Sequence, residues 1–320
     1  MKKFLVKIFF FCLISVIVYP IFIGSLGSYW LTQRRLTKNL IFNQGGNSFM
    51  WSKLHEADTT KDIDVLILGS SIALRGIDTR IFKEYGLKAF NLGSNYQTPL
   101  QTEYLLNKYL NQFSPKYVIW EVTPITFQNR GLESFIDIFS NSNIDKGALK
   151  QSVFISDIIA WNTLIISLKR QIFDEFDNYN EREIKGSTKY VQGGFVESNN
   201  LDFDDRDKLD LYSIDFLEYQ KLAFEKNLNL LNQSNVKILL VQSPTTYEYN
   251  KCITNWNYIN SYFESFEENE LIVDYRNYNE IIPNFGKDTS YFTDKMHLNR
   301  IGAKKYTKFL IDDFIETFSY

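Results

Sequence analysis

The sequence predicts an α/β domain: a central parallel sheet with helices on both faces, behind an apolar N-terminal segment. Three observations carry this. Short continuous apolar runs end at glycine or proline turns, helical spacing fills the intervals between them, and one long uncharged stretch lies near the N-terminus. Strands buried on both faces read as unbroken apolar runs, and their alternation with helices makes them parallel.

The N-terminal stretch comes first. Lys2, Lys3 and Lys7 precede an apolar run from Ile8 to Leu26, interrupted by Pro20 and by small or hydroxyl residues. About 20 apolar residues cross a bilayer, so residues 1–30 are expected to be a retained anchor. A cleaved signal peptide, with Ser25 and Gly27 at the cleavage site, is the alternative. Basic residues Arg34, Arg35 and Lys38 follow the run, so charge alone does not orient the span. Residues 31–60, with Gln44 to Asn47, read as a membrane-proximal connector.

The domain proper is expected over 61–320. Asp64–Leu68 is the first strand and ends at Gly69. Asp78–Tyr85 is a short helix, Lys88–Leu92 the second strand, and Pro99–Tyr109 a helix with proline in its first turn. Tyr117–Trp120 is the third strand. From about 125 to 212 the rhythm breaks. An amphipathic stretch from Ile155 to Phe176 and a polar, Asp-rich sequence without strand periodicity suggest a largely helical insertion. The pattern then resumes with a helix at Phe216–Asn232, a strand at Val236–Val241, a helix at Trp256–Glu268, a strand at Leu271–Asp274 and a closing helix from Asn299 to Phe318.

Composition narrows function. Among 320 residues, 44% are apolar and 23% charged, as in ordinary globular proteins. The net charge of −3, with both signs mixed along the chain, argues against a nucleic-acid partner, which calls for a basic face. Cys12 and Cys252 are far apart and belong to no C-x-x-C pair, so neither a disulfide nor zinc ligation is expected. The sequence supports no metal or organic cofactor.

In an open parallel sheet, ligands collect beyond the carboxyl ends of the strands. Gly69-Ser70-Ser71, Asn91 to Asn95 and Glu121 to Pro124 fall at three such ends. A serine at a strand-to-helix turn lies beside backbone N–H groups that suit an oxyanion, although serine also caps helices routinely. The chain has two histidines, His55 and His297. His297 follows Asp294 directly before the last helix. A serine hydroxyl needs a base to take its proton, and imidazole needs a carboxylate to orient it. A capping or packing role ahead of the helix is the plainer reading of His297.

The order of these motifs resembles the SGNH (GDSL-type) hydrolase superfamily, over residues 62–124 and 236–318. Its first block appears as Gly69-Ser70-Ser71-Ile72 and its last as Asp294 to His297, with Leu298, Asn299 and Gly302 following. The resemblance implies a flavodoxin-like three-layer α/β/α sandwich, with Ser71 rather than Ser70 as nucleophile, His297 as base and Asp294 as its partner. Asn91 to Asn95 looks like the second block, which implies Gly93 N–H as an oxyanion donor. Two features depart from the pattern. Tyr96 stands where the second block often has glycine, and Glu121 to Ile125 lacks the oxyanion asparagine of the third block. Asn95 is the candidate replacement through its side-chain amide.

The N-terminal span, the Gly-Ser-Ser turn and Ser243-Pro244 after a late strand resemble the membrane-anchored SGNH-like proteins of cell-envelope polymer acylation. That resemblance implies a bacterial cytoplasmic membrane protein with an extracytoplasmic site. It also implies acylated glycan or polyol substrates, and an acyl-donor protein in the membrane as a further partner. The expected activity is an O-acyl esterase or O-acyltransferase working through an acyl-enzyme. The alternative is a catalytically silent scaffold that binds glycan or a membrane partner. Trp161, Tyr179 and Tyr190 in the insertion are candidate sugar platforms, although core packing accounts for any one of them as well.

Overall fold

The computed structural model describes residues 1–27, 38–175, 179–206 and 209–318. Arg34, Arg35 and Phe176, named above, lie outside them.

Helix α1 (Lys2–Phe22) runs on through a π-turn at Ile23–Gly27. Among the described residues it is the one helix long and apolar enough to cross a membrane, with a mean hydropathy of 2.5. The connector ends in helix α2 (Met50–Thr59), which buries Met50, Leu54 and Ala57 in the core of the domain.

The sheet contains β1 (Val65–Leu68), β2 (Ala89–Asn91), β3 (Tyr117–Glu121), and two later strands. Helices α3 (Ser71–Gly76) and α4 (Thr79–Glu84) follow β1, and α5 (Pro99–Phe113) follows β2. After β3 the insertion supplies α6 (Leu132–Phe139), α7 (Lys146–Ile155) and α8 (Ile158–Ile172). A small antiparallel sheet of β4 (Ile184–Lys185), β5 (Thr188–Val191) and β6 (Phe195–Ser198) completes it. The sequence reading missed these three strands. Their alternation is short, and the turn Gln192-Gly193-Gly194, with both glycines at positive φ, was the signal available.

The chain then returns through α9 (Glu218–Gln233), β7 (Lys237–Gln242), α10 (Trp256–Glu268), β8 (Asp274–Asn277) and α11 (Arg300–Phe318). The last strand starts three residues later than its apolar run suggests. Leu271 and Ile272 instead close the end of α10, both donating to Phe266 O. As an edge strand, β8 tolerates the polar sequence Asp-Tyr-Arg-Asn.

The order β2-β1-β3-β7-β8, parallel throughout, defines a three-layer α/β/α sandwich. Alternate residues of one strand serve opposite layers. Leu66 and Leu68 pack with α2, α5, α9 and α10, whereas Val65 and Ile67 pack with α3, α4 and α11. The chain order reverses direction between β1 and β3, so the crevice for a ligand opens beyond the carboxyl ends of those two strands.

Candidate active site

The first turn beyond β1 is built around Gly69. Its φ of +141° is one that side chains rarely adopt, and an added Cβ would lie 2.8 Å from both the Cβ and the carbonyl oxygen of Glu121. With no side chain there, β1 and β3 deliver their carboxyl ends to the same spot. Ser70 caps α3 by accepting from Ile72 N at 3.2 Å. Its hydroxyl also donates to Glu121 Oε2 at 3.2 Å and lies 3.1 Å from Thr123 Oγ1. Ser70 is thus structural, and the capping role falls to it.

Ser71, one residue on, starts α3 with its side chain turned outward. Its Oγ lies 2.8 Å from His297 Nε2. On the other side of the ring, His297 Nδ1 lies 2.9 Å from Asp294 Oδ2 and 3.0 Å from Oδ1. Asp294 also accepts from the backbone N–H groups of Met296 and His297, at 2.8 and 2.9 Å. Burial works against its charge, but these donors and His297 outweigh it and hold the carboxyl down at about 2. Asp294 therefore stays ionised.

The loop that carries this pair is pinned at several points. Phe292 and Leu298 bridge across its base, and Thr293 N donates to His297 O at 2.8 Å. The loop after β7 reaches over to hold it, with Thr246 N and Oγ1 both donating to Lys295 O. Asn299 then caps α11 through Ile301 N and Gly302 N. A Cβ on Gly302 would sit 2.2 Å from Tyr291 O, so glycine lets α11 start directly against the loop.

The second block is placed differently from the expectation. Gly93 N–H donates to Asn91 Oδ1 at 2.9 Å, and Asn95 N–H donates to Asp137 Oδ2 at 3.3 Å. The Gly93 donor thus has a partner within its own turn. Asn91, a buried residue at the end of β2, ties the turn down. Its amide nitrogen donates to Ala73 O of α3 and to Ile77 O just past its end.

Three buried ionisable groups lie near the site, and two of them, Lys53 and Asp137, carry no mark in the sequence. Lys53 of α2 donates to Gly93 O, and burial drags its ammonium down to about 7 against the attraction of Asp137 and Glu56. Asp137 of α6, which accepts from Ser48 Oγ at 2.6 Å, is pushed up by burial to about 6. Glu121, at the end of β3, is pushed up by burial to about 7 despite the hydroxyls of Thr123 and Ser70. A lysine and an aspartate within helices carry no local signal of burial.

A cleft of about 490 Å³ reaches the site from the Asp294 side, with Arg75, Thr293 and Asp294 in its wall. Arg75 sits one helical turn beyond Ser71, and its Nε is buried with no hydrogen-bond partner among the described residues. The candidate sugar platforms are dispersed. Tyr190 donates to Glu56 Oε2 at 2.7 Å, Tyr179 packs edge-on against Trp51, and Trp161 lies exposed on α8.

No family model and no curated protein matches the chain. Solved structures similar to it include a GDSL-like lipase from Bacteroides thetaiotaomicron and a protein described as an acylhydrolase from Bacteroides fragilis. Each is 13% identical to the chain at a TM-score of 0.42, over 84% of this chain and 98% and 96% of their own.

Proposed function

We propose that the chain is a serine-dependent carboxylic-ester hydrolase or acyltransferase, with Ser71 as nucleophile, His297 as general base and Asp294 as its orienting partner. The observation that carries this is the unbroken relay from Ser71 Oγ through His297 to Asp294, each step within hydrogen-bond reach.

In this mechanism Ser71 Oγ attacks the ester carbonyl carbon while its proton passes to His297 Nε2. Asp294 stabilises the imidazolium and fixes the ring. The tetrahedral intermediate collapses as the C–O bond to the alcohol breaks, and His297 returns the proton to the leaving oxygen. Water, or the hydroxyl of an acceptor, then attacks the acyl-Ser71 ester by the same route in reverse. Ser71 N–H, in the first turn of α3 where backbone donors lack intrahelical partners, is the oxyanion donor that the geometry favours. Asn95 remains a candidate for the second donor through its side-chain amide.

The finer reading is an O-acyl esterase or O-acyltransferase of extracytoplasmic glycans or polyols, held at the membrane by α1 and supplied by a membrane acyl-donor protein. Its support is the combination of an apolar N-terminal helix with the serine site. The commitment of Gly93 N–H favours the second reading, a silent scaffold. Labelling with a fluorophosphonate separates the two. The parent is expected to form a covalent adduct that Ser71→Ala abolishes, and a folded parent that takes up no label would leave only the scaffold. Supplying an aryl acetate with and without sugar acceptors then divides hydrolysis from transfer.

A further inference from the structure

Exposed large apolar side chains are unevenly spread over the domain. Leu211 and Leu222 are isolated by sequence and element, and Phe309 shares a small depression with Ile281. Between α7 and the end of α8 they concentrate. Ile158, Trp161, Leu168 and Ile172 of α8 are all exposed, Ile172 at 65%. With the partly buried Ile165 they fall within roughly 80° of arc at 3.6 residues per turn, a single stripe along one side of the helix. Val153 and Phe154, exposed at the end of α7, continue the apolar surface across the turn between the two helices.

The stripe borders the seam where α8 meets the end of α1. Tyr19 donates to Asn162 Oδ1 at 2.7 Å, and Ile23 packs with Leu40 and Ile166 beside Ile165. An added Cβ on Gly24 would lie 3.9 Å from Ile165 Cγ2, so that glycine sits directly against the stripe's own residue. Helix α1, in contrast, buries none of its residues against the domain. The apolar surface of the span therefore runs on without a break onto α8.

We infer that α7 and α8 form a second membrane contact: an in-plane amphipathic segment whose stripe sinks into the boundary between lipid headgroups and acyl chains beside α1. The inference rests on reading α1 as a retained span. Continuity selects lipid as the occupant, because whatever surrounds α1 is the first thing the stripe meets. The side-chain chemistry agrees. A tryptophan in the stripe suits the interface. A span alone lets the domain swivel, whereas a span plus an in-plane helix fixes which way the site faces.

Site-directed spin labelling tests this on the full chain, with Cys12→Ser and Cys252→Ser as background. Val153→Cys, Leu168→Cys and Ile172→Cys carry nitroxides, Val16→Cys reports the span, and Leu222→Cys reports water. The protein is placed in nanodiscs of phosphatidylcholine and phosphatidylglycerol, and collisions with oxygen and with a water-soluble nickel chelate are compared. The three positions on α7 and α8 are expected to favour oxygen severalfold, as Val16 does and Leu222 does not. If they behave like Leu222 while Val16 reports lipid, the second contact is wrong and the anchor stands. If Val16 also reports water, the anchor reading fails and takes this inference with it. Exclusion of both reagents from the stripe would mean that protein, such as a second copy, covers it, and would overturn the lipid assignment.

Discussion

The two sides of Ser71 are built to different standards. Toward His297, each donor and acceptor that serine chemistry requires is in place and braced from behind: Asp294 by two backbone N–H groups, and the loop by Thr246 and Asn299. Toward Asn91 to Asn95, the backbone N–H groups of Gly93 and Asn95 are engaged within the fold, and only the Asn95 side-chain amide is left to the proposed hole. Gly93 N–H serves Asn91, Asn95 N–H serves Asp137, and Gly93 O is gripped by Lys53. The first side is made from two short local motifs. The second depends on a connector helix, an insertion helix and two buried ionisable side chains, Lys53 and Asp137, so its geometry answers to parts of the chain distant in sequence. In the proposed mechanism, the serine relay is therefore complete where the stabilisation of its transition state is not.

The largest test of this contrast bears on the complete side. Asp294→Asn keeps the shape of the side chain and an oxygen to accept from Met296 and His297, but it removes the charge that holds the imidazole in the working tautomer. The expected loss in kcat for aryl acetate hydrolysis is about 10⁴-fold with a folded protein. A loss below tenfold would mean that this relay, however well formed, does not carry the reaction.

A smaller effect is expected from the other side. Lys53→Met leaves the site residues untouched but removes the ammonium that holds Gly93 O, so the second block can shift relative to Ser71. Displacements of about 1 Å cost up to about 100-fold, and we expect a 10- to 100-fold fall in kcat with little change in KM. Steady-state kinetics on the variant would read this directly. An unchanged kcat would detach the second block from catalysis and leave Ser71 N–H as the working donor.

This difference also explains what the sequence disclosed. β1, the Ser71 turn and the Asp294–His297 loop were legible because each rests on local rules: a buried run, a glycine that lets two strand ends meet, a carboxylate three residues from an imidazole. Lys53 and Asp137 were not, because each looks like the polar face of an amphipathic helix until the other arrives from across the fold. β8 was displaced because an edge strand need not be apolar, while the apolar residues ahead of it seal the end of α10. The strands β4 to β6 were hidden by their brevity, and the bond from Gly93 N–H to Asn91 Oδ1 depends on a side-chain rotamer that no motif specifies.

The smallest expected effect returns to the nucleophile side and to what its rigidity costs. Glu121 lies fully buried under Ser70, with its carboxyl raised from an ordinary 4.5 to about 7 by burial. A carboxyl raised in the folded state contributes its stability fully below the unfolded value and loses it as pH climbs through the folded one. The parent should therefore weaken between about pH 4.5 and 7 on this account. Glu121→Gln has no charge to bury and should weaken less, so the difference in stability should move in the variant's favour by about 2 kcal/mol from pH 5 to pH 8. Asp137 titrates within the same window, but it is common to both proteins and drops out of the difference. Denaturant melts at the two pH values would measure it. Parallel curves would show that the hydroxyls of Ser70 and Thr123 fully offset the buried charge, and that the complete side of the site is stabilised at no electrostatic cost.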